Sequence, residues 1–295
     1  MNLSFWTDPW ASPTTWWLVA TAALTSISCG IPGTYLVLRR MSLTGDAIGH
    51  SVIPGIVIGF LVSGSLDSPS IILGAALSGW LTVMLIDLLS RKTGVREDAA
   101  TGVVFTAMFS LGILLMRLFA AKIDLDPECV LFGNLETAIH GTRTAIGPWH
   151  IPNIALTTGS AAIACLIIAT TLHHRLLATS FDPVLARLTG QSPPAAHSLL
   201  LALTAAVVVT AFQCVGAIMA VALLVLPPAS ALLIAKRLPS VLLCVVIHSI
   251  LAAILGLYLA TWTSSNLGAS TILSGAALFL LALAWNKLAK PQTPR

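Results

Sequence analysis

The sequence predicts an all-α, polytopic membrane protein with about nine transmembrane helices. Of its 295 residues, 57% are hydrophobic and 9% are charged, and the mean hydropathy is +0.94. A soluble domain carries about 25% charged residues, and a helix that spans a bilayer needs about 20 apolar residues. We therefore expect a single transmembrane domain over residues 1–295, with no room for a sizeable soluble domain.

Nine apolar runs are long enough to be membrane spans. They cover residues 15–38, 46–63, 71–90, 99–120, 152–172, 198–214, 217–235, 240–262 and 269–286. Residues 1–14 contain Trp6 and Trp10, and tryptophan rings favour the headgroup boundary. They predict an interfacial N-terminal arm.

The segment 130–143 is apolar but shorter than a span. Such a segment favours a re-entrant or surface helix. A tenth crossing here remains an alternative, although it would conflict with the distribution of charge.

Lysine and arginine are concentrated in alternate connections. The connections after the first, third, fifth and seventh runs are basic, as is the tail 287–295, whereas Asp67, Asp124 and Glu128 lie in the others. Basic connections face the cytoplasm by the positive-inside rule. This predicts an outside N-terminus, a cytoplasmic loop over 173–197 and a cytoplasmic tail. The net charge of +4 follows the membrane, so we expect a lipid bilayer as partner and no nucleic acid.

An acid and an imidazole stand at the start of the second predicted span. Asp46 and His50 are four residues apart and share one helix face, and Pro54 and Gly55 predict a bend one turn later. Ionisable groups inside a membrane need a partner or a function. Carboxylate and imidazole together suit Mn, Fe(II) or Zn. A further ligand could come from water, from a partner subunit or from His248, which is otherwise a packing histidine.

The basic connection 173–197 contains a short predicted helix. Asp182 is placed to be its N-cap, Pro183 its first residue and Gly190 its left-handed stop. Its apolar side consists of Phe181, Val184, Leu185 and Leu188. With Arg187 as its one basic residue, this helix favours docking to a protein over lying on an anionic lipid surface, which remains the alternative.

Two further features limit the function. Arg117, at the outer end of the fourth run, could guard an opening electrostatically, or its side chain could simply extend to the interface. The Gly-x-x-x-x-Gly-Lys-Ser/Thr phosphate loop is absent from the sequence. Any nucleotide-driven work would therefore need another chain.

Several short motifs occur together in one order and spacing. They are Gly45-Asp46-Ala47 with His50 and Pro54-Gly55, Arg96-Glu97-Asp98 with Gly102, Leu131-Phe132-Gly133, Phe181-Asp182-Pro183, Leu226-Pro227-Pro228-Ala229-Ser230-Ala231, Leu267-Gly268-Ala269 and Thr271-Ile272-Leu273. With these motifs the chain resembles, over nearly its whole length, the permeases of bacterial ABC importers for manganese, zinc and iron, the ABC-3 family. Gly49 and Pro228 depart from the family pattern, in which serine and alanine are usual.

The resemblance implies a fold similar to the vitamin B12 permease, a type II importer, in the bacterial cytoplasmic (inner) membrane. It also implies four kinds of partner: a second permease subunit (the same or a related chain), a cytoplasmic ABC ATPase, an extracytoplasmic metal-binding protein and the transported divalent ion. No cofactor would be bound permanently, and the chain would not be an enzyme. The short helix, with Phe181, Asp182, Pro183, Leu185, Arg187 and Gly190, would couple the permease to the ATPase.

Three alternatives are weaker on the same residues. An importer of cobalamin or a siderophore would need a wider path without ion ligands, which Asp46 and His50 argue against. An intramembrane metal-dependent hydrolase is disfavoured because the sequence has no His-Glu-x-x-His or Gly-x-Ser-x-Gly motif. A membrane scaffold would need neither the polar pair nor the docking helix.

Overall fold

The computed structural model describes residue 10 and residues 12–64, 69–119, 135–146 and 149–289, which form thirteen helices and one β-hairpin. The first helices are α1 (Pro13–Leu38), α2 (Ser42–Ser51), α3 (Ile53–Ser63), α4 (Pro69–Thr93), α5 (Glu97–Phe119) and α6 (Leu135–His140). Strands β1 (Arg143–Ile146) and β2 (Trp149–Pro152) follow. The remaining helices are α7 (Asn153–Thr171), α8 (His173–Phe181), α9 (Pro183–Leu188), α10 (Pro193–Val215), α11 (Ala217–Ile234), α12 (Leu238–Thr263) and α13 (Leu267–Ala289).

The predicted fold class is confirmed. Among the described residues, eight helical stretches are long and apolar enough to cross a membrane, with α2 and α3 counted together as one. The seventh predicted span corresponds to α11, whose apolar stretch Met219–Ile234 is shorter. Each of the nine apolar runs in the sequence thus overlaps a helix of the bundle, and the second run, 46–63, overlaps both α2 and α3.

Helix α1 is the centre of the bundle and packs against α7, α10, α11 and α12. Tyr35, Ile31 and Leu36 are among its fully buried side chains. Buried hydroxyl groups on the same helix donate hydrogen bonds to carbonyl oxygens one turn earlier: Thr25 donates to Thr21 O at 2.7 Å and Thr34 to Gly30 O at 2.8 Å. Small polar residues are therefore tolerated in this apolar core because their hydrogen bonds are local.

Helices α3 and α4 cross at glycines. The backbone of Gly55 on α3 meets that of Gly74 on α4, so that a methyl group on either residue would overlap the other's carbonyl oxygen. Gly59 packs in the same way against Ser70 and Ile71. Small residues let membrane helices approach closely enough to gain dispersion contacts over a long seam. Gly55, which the sequence analysis associated with a bend, is explained here by close packing.

A short helix and a hairpin join α5 to α7. Leu135 and Ile139 on α6 are buried, and α6 packs against α1 and α10. The antiparallel strands pair Arg143 with Pro152 and Ile146 with Trp149. The hairpin was not predicted, since four-residue strands leave no clear periodicity.

Several predicted features fall partly or wholly outside the described residues. These are most of the N-terminal arm, the segment 130–134 with the Leu131-Phe132-Gly133 motif, and the tail beyond residue 289. The re-entrant course of residues 130–143 and the interfacial arm stay predictions.

We expect Gly74→Ala to destabilise the bundle by about 1–3 kcal/mol, because the added methyl must push α3 away from α4. The measurement is the apparent melting temperature of the purified chain in detergent micelles. Gly102→Ala is the matched control, since a methyl there has open space around it. Equal melting temperatures for the two variants would contradict the close α3–α4 contact.

Candidate functional site

A tight junction positions α2 after α1. Arg40 has a left-handed backbone with φ of 60°, and the Met41 N–H donates to Leu36 O at 2.9 Å. The chain thus turns within a few residues and starts a new helix that packs against α4, α5, α10 and α11. The polar pair lies on this second helix.

Glycines on α2 allow its neighbours to come close. A methyl group at Gly45 would overlap the Leu224 side chain, and one at Gly49 would lie 3.1 Å from the Phe212 ring. Gly49 was noted as a departure from the family's serine. In the structure Gly49, the residue next to His50 in the sequence, packs beside the Phe212 ring.

Asp46 and His50 lie together on α2. His50 Nε2 is 3.5 Å from Asp46 Oδ1, and the side chains are 20% and 46% exposed for His50 and Asp46 respectively. This separation is too long for a good hydrogen bond, for which about 2.7–3.2 Å is usual. Two ligand atoms about 2.1 Å from one tetrahedral ion lie about 3.4 Å apart. The observed separation of 3.5 Å is close to this value.

Two phenylalanines on α5 hold the imidazole. The ring centroids of Phe105 and Phe109 each lie 5.6 Å from that of His50, and the two phenyl rings stack on each other at 6.0 Å. His50 Nδ1 is buried and has no hydrogen-bond partner among the described residues. Packing, and not a hydrogen bond to Nδ1, thus orients the ring. Neither phenylalanine was predicted from the sequence, because their i, i+4 spacing puts them on one face of a predicted span but does not show which helix that face meets.

The helix is interrupted immediately after this pair. Val52 separates α2 from α3, and Pro54 stands in the first turn of α3. Proline has no N–H and cannot donate to the carbonyl of His50 four residues earlier. The Ser78 hydroxyl from α4 donates to the Ser51 carbonyl at 2.7 Å. A neighbouring helix thus satisfies part of the interrupted backbone, next to the predicted bend at Pro54.

His248 lies apart from the pair. It is buried on α12, and its Nε2 has no hydrogen-bond partner in the described part of the chain. It lines a cavity of about 510 Å³ with residues of α11, α12 and α13. Within the described ranges, no three His, Cys, Asp or Glu side chains come together as a metal-binding group. The structure therefore does not bring His248 to Asp46 and His50.

Arg117 is exposed in the last turn of α5. The chain beyond Phe119 as far as residue 134 is outside the described residues. Its role at an outer opening stays a prediction.

The short helix in the basic connection has the predicted ends. Asp182 accepts hydrogen bonds from the backbone N–H groups of Val184 and Leu185 at 3.0 and 2.9 Å. At the other end Gly190 has a φ of 78°, and the Gln191 N–H donates to Ala186 O at 2.9 Å. These are an N-cap and a glycine stop that close α9 on both sides. The predicted helix boundaries are confirmed.

The apolar side of α9 is open to its surroundings. Phe181 is 69% exposed and Leu188 is 81% exposed, and Val184 and Leu185 are also exposed. Ala186 on the opposite side is buried, and α9 packs on α10. The helix α8, which the sequence analysis did not predict, precedes it and anchors it to α1, α7 and α10. The four residues Phe181, Val184, Leu185 and Leu188 are called the docking face below.

The family model of the ABC 3 transport family matches residues 12–286 of this chain. The chain belongs to the ABC 3 transport family. The match takes in the polar pair, the interrupted helix and the docking face.

Individual members of the family are similar over most of the chain. It is 36% identical to the manganese transport system membrane protein MntD of Bacillus subtilis over 270 residues, which are 90% of this chain and 91% of that protein. It is 38% identical to the zinc transport system membrane protein TroD of Treponema pallidum over 210 residues, 71% of this chain and 57% of that protein. The solved structure of PsaBC from Streptococcus pneumoniae in complex with Fab aligns with a TM-score of 0.78 and 30% identity, covering 98% of this chain and 100% of that one.

We expect Asp182→Ala to loosen α9, because two backbone N–H groups lose their acceptor. A lost N-cap costs about 1 kcal/mol, so amide hydrogen exchange over residues 184–188 should speed up about fivefold. Asp182→Asn is the matched control, since asparagine caps about as well as aspartate. Equal exchange in both variants would show that the cap does not hold the helix.

Proposed function

We propose that this chain is the membrane-spanning permease subunit of an ATP-driven importer for a divalent transition-metal ion: manganese, zinc or iron. The observation that carries the proposal is the Asp46–His50 pair, spaced at 3.5 Å on an interrupted membrane helix of an ABC 3 family member. The chemistry of one carboxylate and one imidazole suits these three metals. The manganese and zinc named for the MntD and TroD relatives support the same class of cargo.

Two ligands suit an ion that must leave again. A closed site of four protein ligands holds Zn²⁺ firmly, whereas a site with open positions can exchange what it binds. Asp46 is 46% exposed at its side chain, so it remains accessible to an arriving ion. We infer that the remaining ligands come from water or from a second permease subunit, which faces this one across the path.

The docking face supports a cytoplasmic ATPase as partner. Exposed apolar surface on a capped helix is unfavourable in water, and such a patch usually marks a site that a partner protein covers. Basic residues flank this end of the bundle, which favours the cytoplasmic side. In the proposed orientation the N-terminus lies outside, the C-terminus lies in the cytoplasm, and an extracytoplasmic binding protein delivers the ion to the opposite end.

The proposed transport cycle is alternating access. Nucleotide binding by the ATPase displaces α9, and α8 transmits the displacement to α1, α7 and α10, against which it packs. Helix α2 packs on α10 and directly follows α1. The displacement therefore switches the access of the polar pair from one side of the membrane to the other. Asp46 and His50 replace part of the ion's hydration during passage.

We expect Asp46→Ala and His50→Ala each to lower metal uptake by at least about 10-fold, since loss even of a residue that only orients a metal ligand costs 10- to 100-fold. The measurement is uptake of radioactive manganese, zinc or iron, tested separately, by proteoliposomes that hold the complete transporter. Asp98→Ala and His140→Ala are matched controls, because both side chains are exposed and belong to α5 and α6, not to α2. Normal uptake of all three metals by the Asp46→Ala, His50→Ala double variant would refute the site.

We expect Leu188→Asp to remove the ATPase from the purified complex, since a carboxylate would have to be buried in the apolar contact. The readout is the amount of ATPase that co-purifies with the permease. Val95→Asp is the matched control: Val95 is an exposed apolar residue in the basic connection between α4 and α5. If both variants retain the ATPase, the docking face does not carry the contact.

A further inference from the structure

A polar cavity lies at the basic end of the bundle, and the proposed transport path does not use it. Its volume is about 410 Å³, and it lies between the ends of α1 and α4, the segment α8–α9 and the start of α10. The charged and polar side chains that line it are Arg39, Asp87, Ser90, Arg91, Thr179, Arg187 and His197. We call it the arginine cavity.

Positive charge exceeds negative charge in this lining. The described lining has three arginines and a single carboxylate, that of Asp87. Arg91 Nε lies 2.6 Å from Asp87 Oδ1, so this carboxylate is already engaged. Arg39 is half-buried, whereas Arg91 and Arg187 are exposed. Guanidinium groups gathered around one cavity repel one another, and an anion among them reduces the repulsion.

Hydrogen bonds hold Arg39, the residue that follows α1, in place. Arg39 Nε donates to the Ser180 hydroxyl at 2.9 Å, and its terminal nitrogen donates to the Thr179 hydroxyl at 3.0 Å. The guanidinium is thus oriented by two residues of α8 before any ligand arrives. A guanidinium held in this way keeps its positive charge at a fixed place beside the cavity, so little side-chain entropy is lost when an anion approaches it.

An apolar stripe leads from the cavity along α4. Leu81, Met84 and Leu88 follow at helical spacing, and each has between 45% and 49% of its surface exposed. Asp87 and Arg91 lie on the same helix and line the cavity, so the cavity is at the end of this stripe. A ligand with a phosphate in the cavity would therefore have an apolar surface beside it, running toward the middle of the membrane.

We propose that the arginine cavity binds the phosphate of an anionic phospholipid, whose acyl chains lie along Leu81, Met84 and Leu88. In the proposed orientation the cavity faces the cytoplasmic leaflet, where anionic headgroups meet basic pockets between helices. The apolar stripe favours a lipid over free phosphate or an acidic side chain. Because Arg187 belongs to α9, the lipid contacts the same short helix that presents the docking face.

The experiment measures lipid binding by native mass spectrometry on the detergent-purified, delipidated complex. Phosphatidylglycerol, phosphatidylcholine and inorganic phosphate are added in separate titrations. We expect phosphatidylglycerol to bind more tightly than phosphatidylcholine, and Arg39→Gln and Arg91→Gln each to weaken it about fivefold. Arg39→Lys keeps the charge and should retain most of the affinity. This variant is measured in place of Arg39→Gln if Arg39→Gln does not assemble. Arg96→Gln, an exposed arginine outside the cavity, should leave binding within twofold.

Three outcomes would overturn the proposal. Equal weakening by Arg96→Gln would show only a diffuse attraction to the basic surface. Binding of inorganic phosphate without binding of phosphatidylglycerol would identify a site for a small anion. Loss of the ATPase from Arg39→Gln or Arg91→Gln at unchanged lipid affinity would assign the cavity to an acidic residue of that partner.

Discussion

A helix that stops and restarts inside a membrane leaves backbone groups that neither lipid nor water can satisfy. In this chain the interruption falls at Val52, between α2 and α3, and the Ser78 hydroxyl of α4 reaches the Ser51 carbonyl. The close glycine crossing of α3 and α4 makes this contact possible, because it holds α4 against the segment that needs a donor. The position of the polar pair thus depends on a contact that neither member of the pair makes.

Among the described residues, the imidazole of His50 is held by packing and not by a hydrogen bond to Nδ1. Resident metal sites usually fix each histidine by a hydrogen bond to its second nitrogen. Here the two phenyl rings of α5 set the ring's orientation, and packing tolerates small rotations better than a short hydrogen bond does. In the proposed site, an ion would therefore be received and released with little rearrangement of the protein around it.

Local structure was predictable from the sequence, whereas contacts between distant segments were not. The ends of α9 follow from Asp182 and Gly190 alone, because capping and left-handed backbone are properties of single residues. The spans follow from hydropathy in the same way. The neighbours of His50 and of His248 could not be derived, since a buried helix that is apolar on all sides does not reveal which face meets which partner. The hydrogen bonds of Arg39 with α8 depend on residues about 140 positions apart and were beyond any local rule.

The exposed docking face bears on the abundance of this protein in the cell. Phe181 and Leu188 are exposed in the single chain. If the proposed ATPase covers them in the complex, a chain made in excess of that partner would carry an uncovered apolar surface. Such surfaces promote aggregation and are recognised by chaperones and proteases. Under the proposed function, the cellular abundance of this subunit would be tied to the supply of its partner, because the same four side chains would serve both assembly and the removal of surplus chains.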